Sequence, residues 1–216
     1  FKRGVKMNKK FFIMIMMLIT TVLAYSENEA KKSADGNNDR IEKGNHNKKK
    51  LVKLTEEQDR YYRKSEEYFK YGRFGSEYVG FISLPDWEEV KWLIDTGSTT
   101  YTLEISEDGI DIYSLDSFNI NDKHGLNDEE TAKNLVEQEF RKYLNEGHKR
   151  NNLLIKRIEA SGYKGMQLKV KELSGKTLIQ NVFVIRNKVY IANAEGLSNH
   201  IDHMEKVILD SWNPER

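Results

Sequence analysis

Along the chain, the pattern of apolar and polar positions changes character twice. Residues 11–24 are an uninterrupted run without charge, rich in Met, Ile and Leu, and residues 27–50 hold almost nothing apolar. From Thr55 onward the apolar positions recur with the spacings of helices and strands. Thr55 with Gln58 three residues later reads as a capping box, and Tyr61, Tyr62, Ser65, Tyr68 and Phe69 keep helical spacing as far as Gly72. An amphipathic helix within 51–74 is therefore expected to lead into the domain. Its tyrosine stripe is expected to pack on a sheet rather than to serve as a sugar or base platform.

The period then shortens. Tyr78–Leu84, Val90–Ile94, Thr99–Ile105 and Ile110–Phe118 are short stretches rich in β-branched and aromatic residues, which predicts strands. Asp108-Gly109 between two of them is a hairpin signal, because the preferred turn needs positive φ. Asn127 followed by Glu130 starts a second helix on which Ala132, Leu135, Val136, Phe140, Tyr143 and Leu144 share a face until Gly147. Leu153–Ile158, Tyr163–Leu173, Leu178–Ile185 and Val189–Ala194 return to strand character, separated by turn residues, and suggest an antiparallel meander. Ser198 is expected to cap a last helix carrying Ile201, Met204, Ile208 and Trp212, which Pro214 forbids from continuing. Helices apolar on one side must bury that side on a sheet. The fold class expected is α+β, a central antiparallel sheet with packed helices, over 75–213.

The first two segments bear on location rather than fold. Met7 opens Met-Asn-Lys-Lys, the uncharged run follows, and Val22 and Ala24 place small residues at the positions signal peptidase favours. Residues 1–26 therefore read as a secretory signal peptide with its true start at Met7, too short for a span of about 20 apolar residues. Residues 27–50 carry seven Lys or Arg, five acidic residues and five Asn, so they cannot offset their own ordering entropy and are expected to be a disordered linker. The mature chain is expected to be secreted or periplasmic and not membrane-spanning.

Composition excludes several chemistries. There is no cysteine, which removes disulfides, thiolate zinc sites, thiol nucleophiles and lipid attachment through a lipobox. Lys plus Arg is 35 against 34 Asp plus Glu, a net of +1, so no whole-molecule field draws the chain to nucleic acid. Arg141, Lys142, His148, Lys149, Arg150, Lys156 and Arg157 do cluster around one predicted helix end, where cations also suit the helix dipole. His46, His124 and His148 have no Ser or Cys partner at motif spacing, and no glycine-rich phosphate loop occurs.

Two candidate chemistries stand out. Leu93-Ile94-Asp95-Thr96-Gly97-Ser98 matches the signature of pepsin-like and retroviral-type proteases, in which two aspartates share one proton. With one such motif, catalysis by Asp95 would require a homodimer, and the segment after Ser98 reads as a strand rather than a flap. The simpler reading makes Asp95–Ser98 the polar turn of a hairpin. His200 and His203, three apart on the last helix, could hold zinc or copper if a third ligand such as Glu195 approached, although that spacing also suits a solvated helix face.

Three short stretches carry a family resemblance: Val79-Gly80-Phe81-Ile82-Ser83-Leu84-Pro85 with Trp87, Ser161-Gly162-Tyr163-Lys164-Gly165-Met166-Gln167, and Val189-Tyr190-Ile191-Ala192 leading to Glu195-Gly196. Over Tyr78 to Trp212 the chain resembles the PsbP-like superfamily of bacterial extracytoplasmic proteins. That resemblance implies an α/β/α sandwich in which Gly162-Tyr163-X-Gly165 opens a core strand, Pro85 and Trp87 end the first strand under an aromatic lid, and the final helix closes the sheet. It also implies a non-enzymatic domain, secreted or periplasmic, that binds a partner protein or supports an envelope process; the partner expected is another envelope or secreted protein, the chain is expected to be a monomer, and no cofactor is expected. The lack of a lipobox cysteine and of further assembly segments departs from a photosystem subunit.

Overall fold

The aromatic stripe ahead of the domain does form a helix, α1 (Glu56–Glu67), which tightens into a 3₁₀ turn at Tyr68–Tyr71 and stops where Gly72 takes the left-handed conformation at φ 68. These positions come from a computed structural model that describes residues 56–93, 102–121, 123, 125–172 and 175–215, all in one unit spanning 54–95 and 99–216. The expected signal peptide (1–26), linker (27–50), Thr55 cap and Asp95–Ser98 motif lie outside the described residues.

Nine strands follow among the described residues: β1 (Arg73–Ser76), β2 (Gly80–Ser83), β3 (Lys91–Leu93), β4 (Leu103–Ser106), β5 (Ile112–Asn119), β6 (Leu153–Ala160), β7 (Tyr163–Lys171), β8 (Lys176–Ile185) and β9 (Lys188–Leu197). Two more helices interrupt and close the series, α2 (Asp128–Asn145) and α3 (Ile201–Ser211). β1 and β2 make a two-stranded sheet of their own, and the other seven form one sheet in the order β3-β4-β5-β9-β8-β7-β6 with every neighbour antiparallel. The chain thus lays down one meander, crosses the sheet through α2, and returns by a second meander to pair β9 with β5. The central antiparallel sheet with packed helices is the expected α+β class.

Adjacent residues of β6 show how the layers are arranged. Lys156 pairs with Glu205 on α3, while Arg157 pairs with Glu129 on α2 at 3.1 Å. Successive strand side chains point to opposite faces, so α2 and α3 cover opposite sides of the sheet. Under α3 lie Tyr113, Leu115, Ile179, Phe183, Ala192 and Ala194, joined by Tyr61 of α1 and by Phe74, Val79 and Ile82 of the hairpin. Trp212 closes this core, fully buried and stacked on Phe183 with ring centroids 4.0 Å apart. On the other face, Leu168, Val170, Val182 and Val184 are buried on the side where α2 brings Ala132, Val136 and Tyr143.

The sequence reading differs from the fold in three places. Residues 73–76 are a strand, which four residues containing Gly75 do not announce, and β1 pairs only with β2. The tyrosine stripe packs as expected, but against this hairpin: Tyr61 bonds Ser76 at 2.9 Å and Tyr68 meets the Phe81 ring edge-on at 4.9 Å. Ser198 does not cap α3. Its hydroxyl donates to the Gly175 carbonyl at 2.9 Å, and His200 holds the cap position without a side-chain bond.

Two glycines have visible steric causes. A Cβ on Gly165 would stand 2.6 Å from the Phe183 ring and 2.7 Å from the Val182 carbonyl oxygen. Gly80, at φ 81, sits against Trp212 and Asn213, whose backbone exchanges two hydrogen bonds with Phe81 at 2.8 and 2.9 Å. The end of the chain past α3 is thereby fastened to β2.

Candidate functional site

Asp95 lies outside the described residues. The two helix histidines are described, and their surroundings follow from the β9–α3 connection. His200 Nδ1 lies 2.6 Å from Asp111 Oδ2, and the other oxygen of this buried carboxylate accepts the Leu197 amide at 3.1 Å. Gly196 makes room for that arrangement, since a Cβ there would stand 2.4 Å from Asp111 Oδ1. His203 is exposed, and Glu195 is buried against Lys176 at 3.1 Å. Among the described residues no three His, Asp or Glu side chains are grouped to hold a metal ion.

Asp111 is a residue the sequence reading missed. It follows the Asp108-Gly109 turn but meets a histidine 89 positions away, and no local pattern encodes that pairing.

Buried charge is concentrated elsewhere. Glu139 on α2 and Glu195 on β9 are both buried, each bonded to a lysine, Lys142 at 2.9 Å and Lys176 at 3.1 Å. Burial pushes both carboxyls above the ordinary glutamate range, with the lysines pulling the other way. Desolvating both ions offsets most of the attraction in such pairs, so they fix geometry more than they stabilise. Beneath α3, Gln167 Nε2 donates to Asn181 Oδ1 at 2.8 Å and to Glu205 Oε1 at 3.2 Å, Lys156 also reaches Glu205, and Lys169 bonds Asp202 at 2.8 Å. These networks seat α3 on the sheet, and their inner members lie too deep to receive a substrate.

What remains open is the β6 end of the sheet. α2 carries a wider apolar stripe than the sheet can cover: Ala132, Val136 and Tyr143 are buried, whereas Phe140 and Leu144 stay half-buried. Together with Leu153, Leu154 and Ile155 of β6 these two residues line a groove of about 550 Å³ rimmed by Glu137, Arg141 and Arg150. Leu154 is 55% exposed, so the groove is apolar to its outer lip. The Arg150 guanidinium lies 5.0 Å from the Phe140 ring centroid, and Arg141 bonds Glu137 at 3.3 Å. Of the sequence-predicted basic cluster, Lys142, Lys156 and Arg157 have carboxylate partners as well, while Arg150 has none among the described residues.

The backbone of β6 adds polar edges to this groove. A two-residue turn, with Ser161 at φ 48 and Gly162 at φ 80, joins Ala160 to its partner Tyr163. In a hairpin closed this way the pair flanking the turn exchanges hydrogen bonds, and alternate pairs beyond it do the same. Ala160, Ile158, Lys156 and Leu154 therefore bond β7, while Ile155, Arg157 and Glu159 turn their N–H and C=O groups to the open side and Leu153 only its C=O, its N–H being bonded to the Arg150 carbonyl. The signal for this in the sequence was Leu153-Leu154-Ile155, three consecutive apolar residues where a strand with one wet face alternates.

Compared with known proteins, the chain matches no family model and no curated sequence.

Proposed function

We propose that the chain is an exported, non-catalytic domain of PsbP-like type that acts as a binding or accessory module in the cell envelope. The observation that carries this reading is the β6 edge beside the overhanging stripe of α2, an apolar groove whose outward backbone donors and acceptors pair with no strand among the described residues. Three-layer packing of helices on an antiparallel sheet agrees with the fold that the resemblance implies. Among the described residues no helix is long and apolar enough to cross a membrane. The signal-peptide pattern of residues 7–26 supports export.

The test is to incubate the mature protein and an Asp95→Asn variant with a mixed peptide library from about pH 3 to about pH 8, a range that covers the shared proton of an aspartic dyad. Retention of a subset of peptides, uncut by either protein, is the expected result. Cleavage that disappears in Asp95→Asn would make the chain a peptidase and overturn the reading.

A further inference from the structure

Resting on the reading of the chain as a binding module, we infer that the β6 edge takes an extended apolar peptide segment with an acidic side chain at its end, added as a further antiparallel or parallel strand of the sheet. Ile155, Arg157 and Glu159 present outward N–H and C=O groups at every second residue, and the Leu153 carbonyl extends the row, the repeat that a partner strand satisfies. Their span corresponds to about 20 Å of extended chain, or roughly seven residues of peptide. A strand seated there sends alternate side chains toward α2, where Phe140 and Leu144 are half-buried and leave the apolar groove.

Charge selects the rest of the peptide. Arg150 lies over the Phe140 ring with no carboxylate partner among the described residues, and exposed Lys149 precedes it. A guanidinium placed on an aromatic face keeps its edge donors free for a bidentate carboxylate. Arg141 extends the positive rim, although it is shared with Glu137. An acidic side chain at the Leu153 end of the added strand meets this rim, and a basic one is repelled by it.

The same charges disfavour a second copy as the occupant. Antiparallel pairing of β6 with itself in the two registers nearest the strand centre sets Lys156 opposite Lys156, or Arg157 opposite Arg157, of the other copy. Like charges directly opposite destabilise a ladder, and charged edge residues are a recurrent guard against such pairing.

The experiment titrates the mature protein with a capped eight-residue peptide of alternating Val and Thr with Glu at each end (the Glu-Val peptide), with its Lys-ended counterpart (the Lys-Val peptide), and with a Glu-Val peptide N-methylated at alternate residues. Variants are Ile155→Pro, which removes an outward N–H while leaving the bonds to β7, and Arg150→Glu, with near-UV circular dichroism checking that each folds. The expected result is saturable binding of the Glu-Val peptide, weakened about tenfold or more by Ile155→Pro and by N-methylation, with preference shifted to the Lys-Val peptide in Arg150→Glu. Backbone amide shifts should be confined to β6 and the second half of α2. If Ile155→Pro fails to fold, the N-methylated peptide and Arg150→Glu decide the matter.

Equal binding of both peptides, insensitivity to these changes, or amide shifts elsewhere would overturn the inference. Library peptides that bind away from β6 would do so while leaving the binding-module reading intact, and a library from which nothing binds would remove both. A concentration-dependent dimer abolished by Ile155→Pro would make the occupant a second copy and overturn the choice of an acidic peptide.

Discussion

Single side chains in this domain are constrained most tightly where charge is buried. Glu195 sits 5% exposed against Lys176, with its carboxyl pushed upward by burial. A carboxyl whose folded pKa exceeds its unfolded value contributes stability below the unfolded pKa and loses it as pH rises through the folded one. Glu195→Gln removes that dependence. The melting midpoint of the variant relative to the wild type is thus expected to rise between about pH 5 and about pH 8. A difference that is flat or falls with pH, measured by thermal melts in matched buffers, would contradict it. The sequence hid this residue's role, since Glu195 belongs to a Glu-Gly pair at the end of a strand and its partner lies on the neighbouring strand. Asp111 and His200 were hidden for a similar reason, since contact between side chains 89 positions apart leaves no periodic trace.

At the scale of elements the sequence was far more legible, because helices and turns are encoded locally. Asn127 and Glu130 form the reciprocal cap of α2, with the two bonds at 2.9 and 3.0 Å. Asn127→Ala is expected to lower the stability of the domain by about 1 kcal/mol without unfolding it. Urea unfolding should show a lower midpoint at unchanged slope, and an unchanged midpoint would mean that the cap is redundant. Ser198 had the same credentials in sequence and failed as a cap because the β7–β8 turn competes for its hydroxyl. The second meander was readable strand by strand, since Ser161-Gly162 and the other turn residues separate its members. β1 was not, being four residues held in place by pairing with β2 and by the aromatic rings of α1. The groove occupies a middle position: its stripe on α2 and its apolar β6 start were both visible, but only the strand order shows that β6 has no neighbour on one side among the described residues.

The order of strands is a property of the whole molecule that local patterns do not carry. Among the described residues, a single eight-residue ladder between β5 and β9 joins the meander that precedes α2 to the meander that follows it. All other ladders pair strands that are consecutive in sequence. The loop after α2, where Gly147 is exposed at φ 95, falls between these two halves. A polypeptide severed there becomes two fragments, each owning a complete meander, one with α1 and α2 and the other with α3. Neither fragment can cover its own sheet face, because α2 lies on the strands of the second half and α3 closes a core shared with the first. Mixed, they are expected to recover the near-UV circular dichroism of the intact chain, while each alone lacks it. Fragments that fold separately, or never associate, would contradict this, whereas recovery would make the domain divisible into a reporter pair that works only when its halves meet.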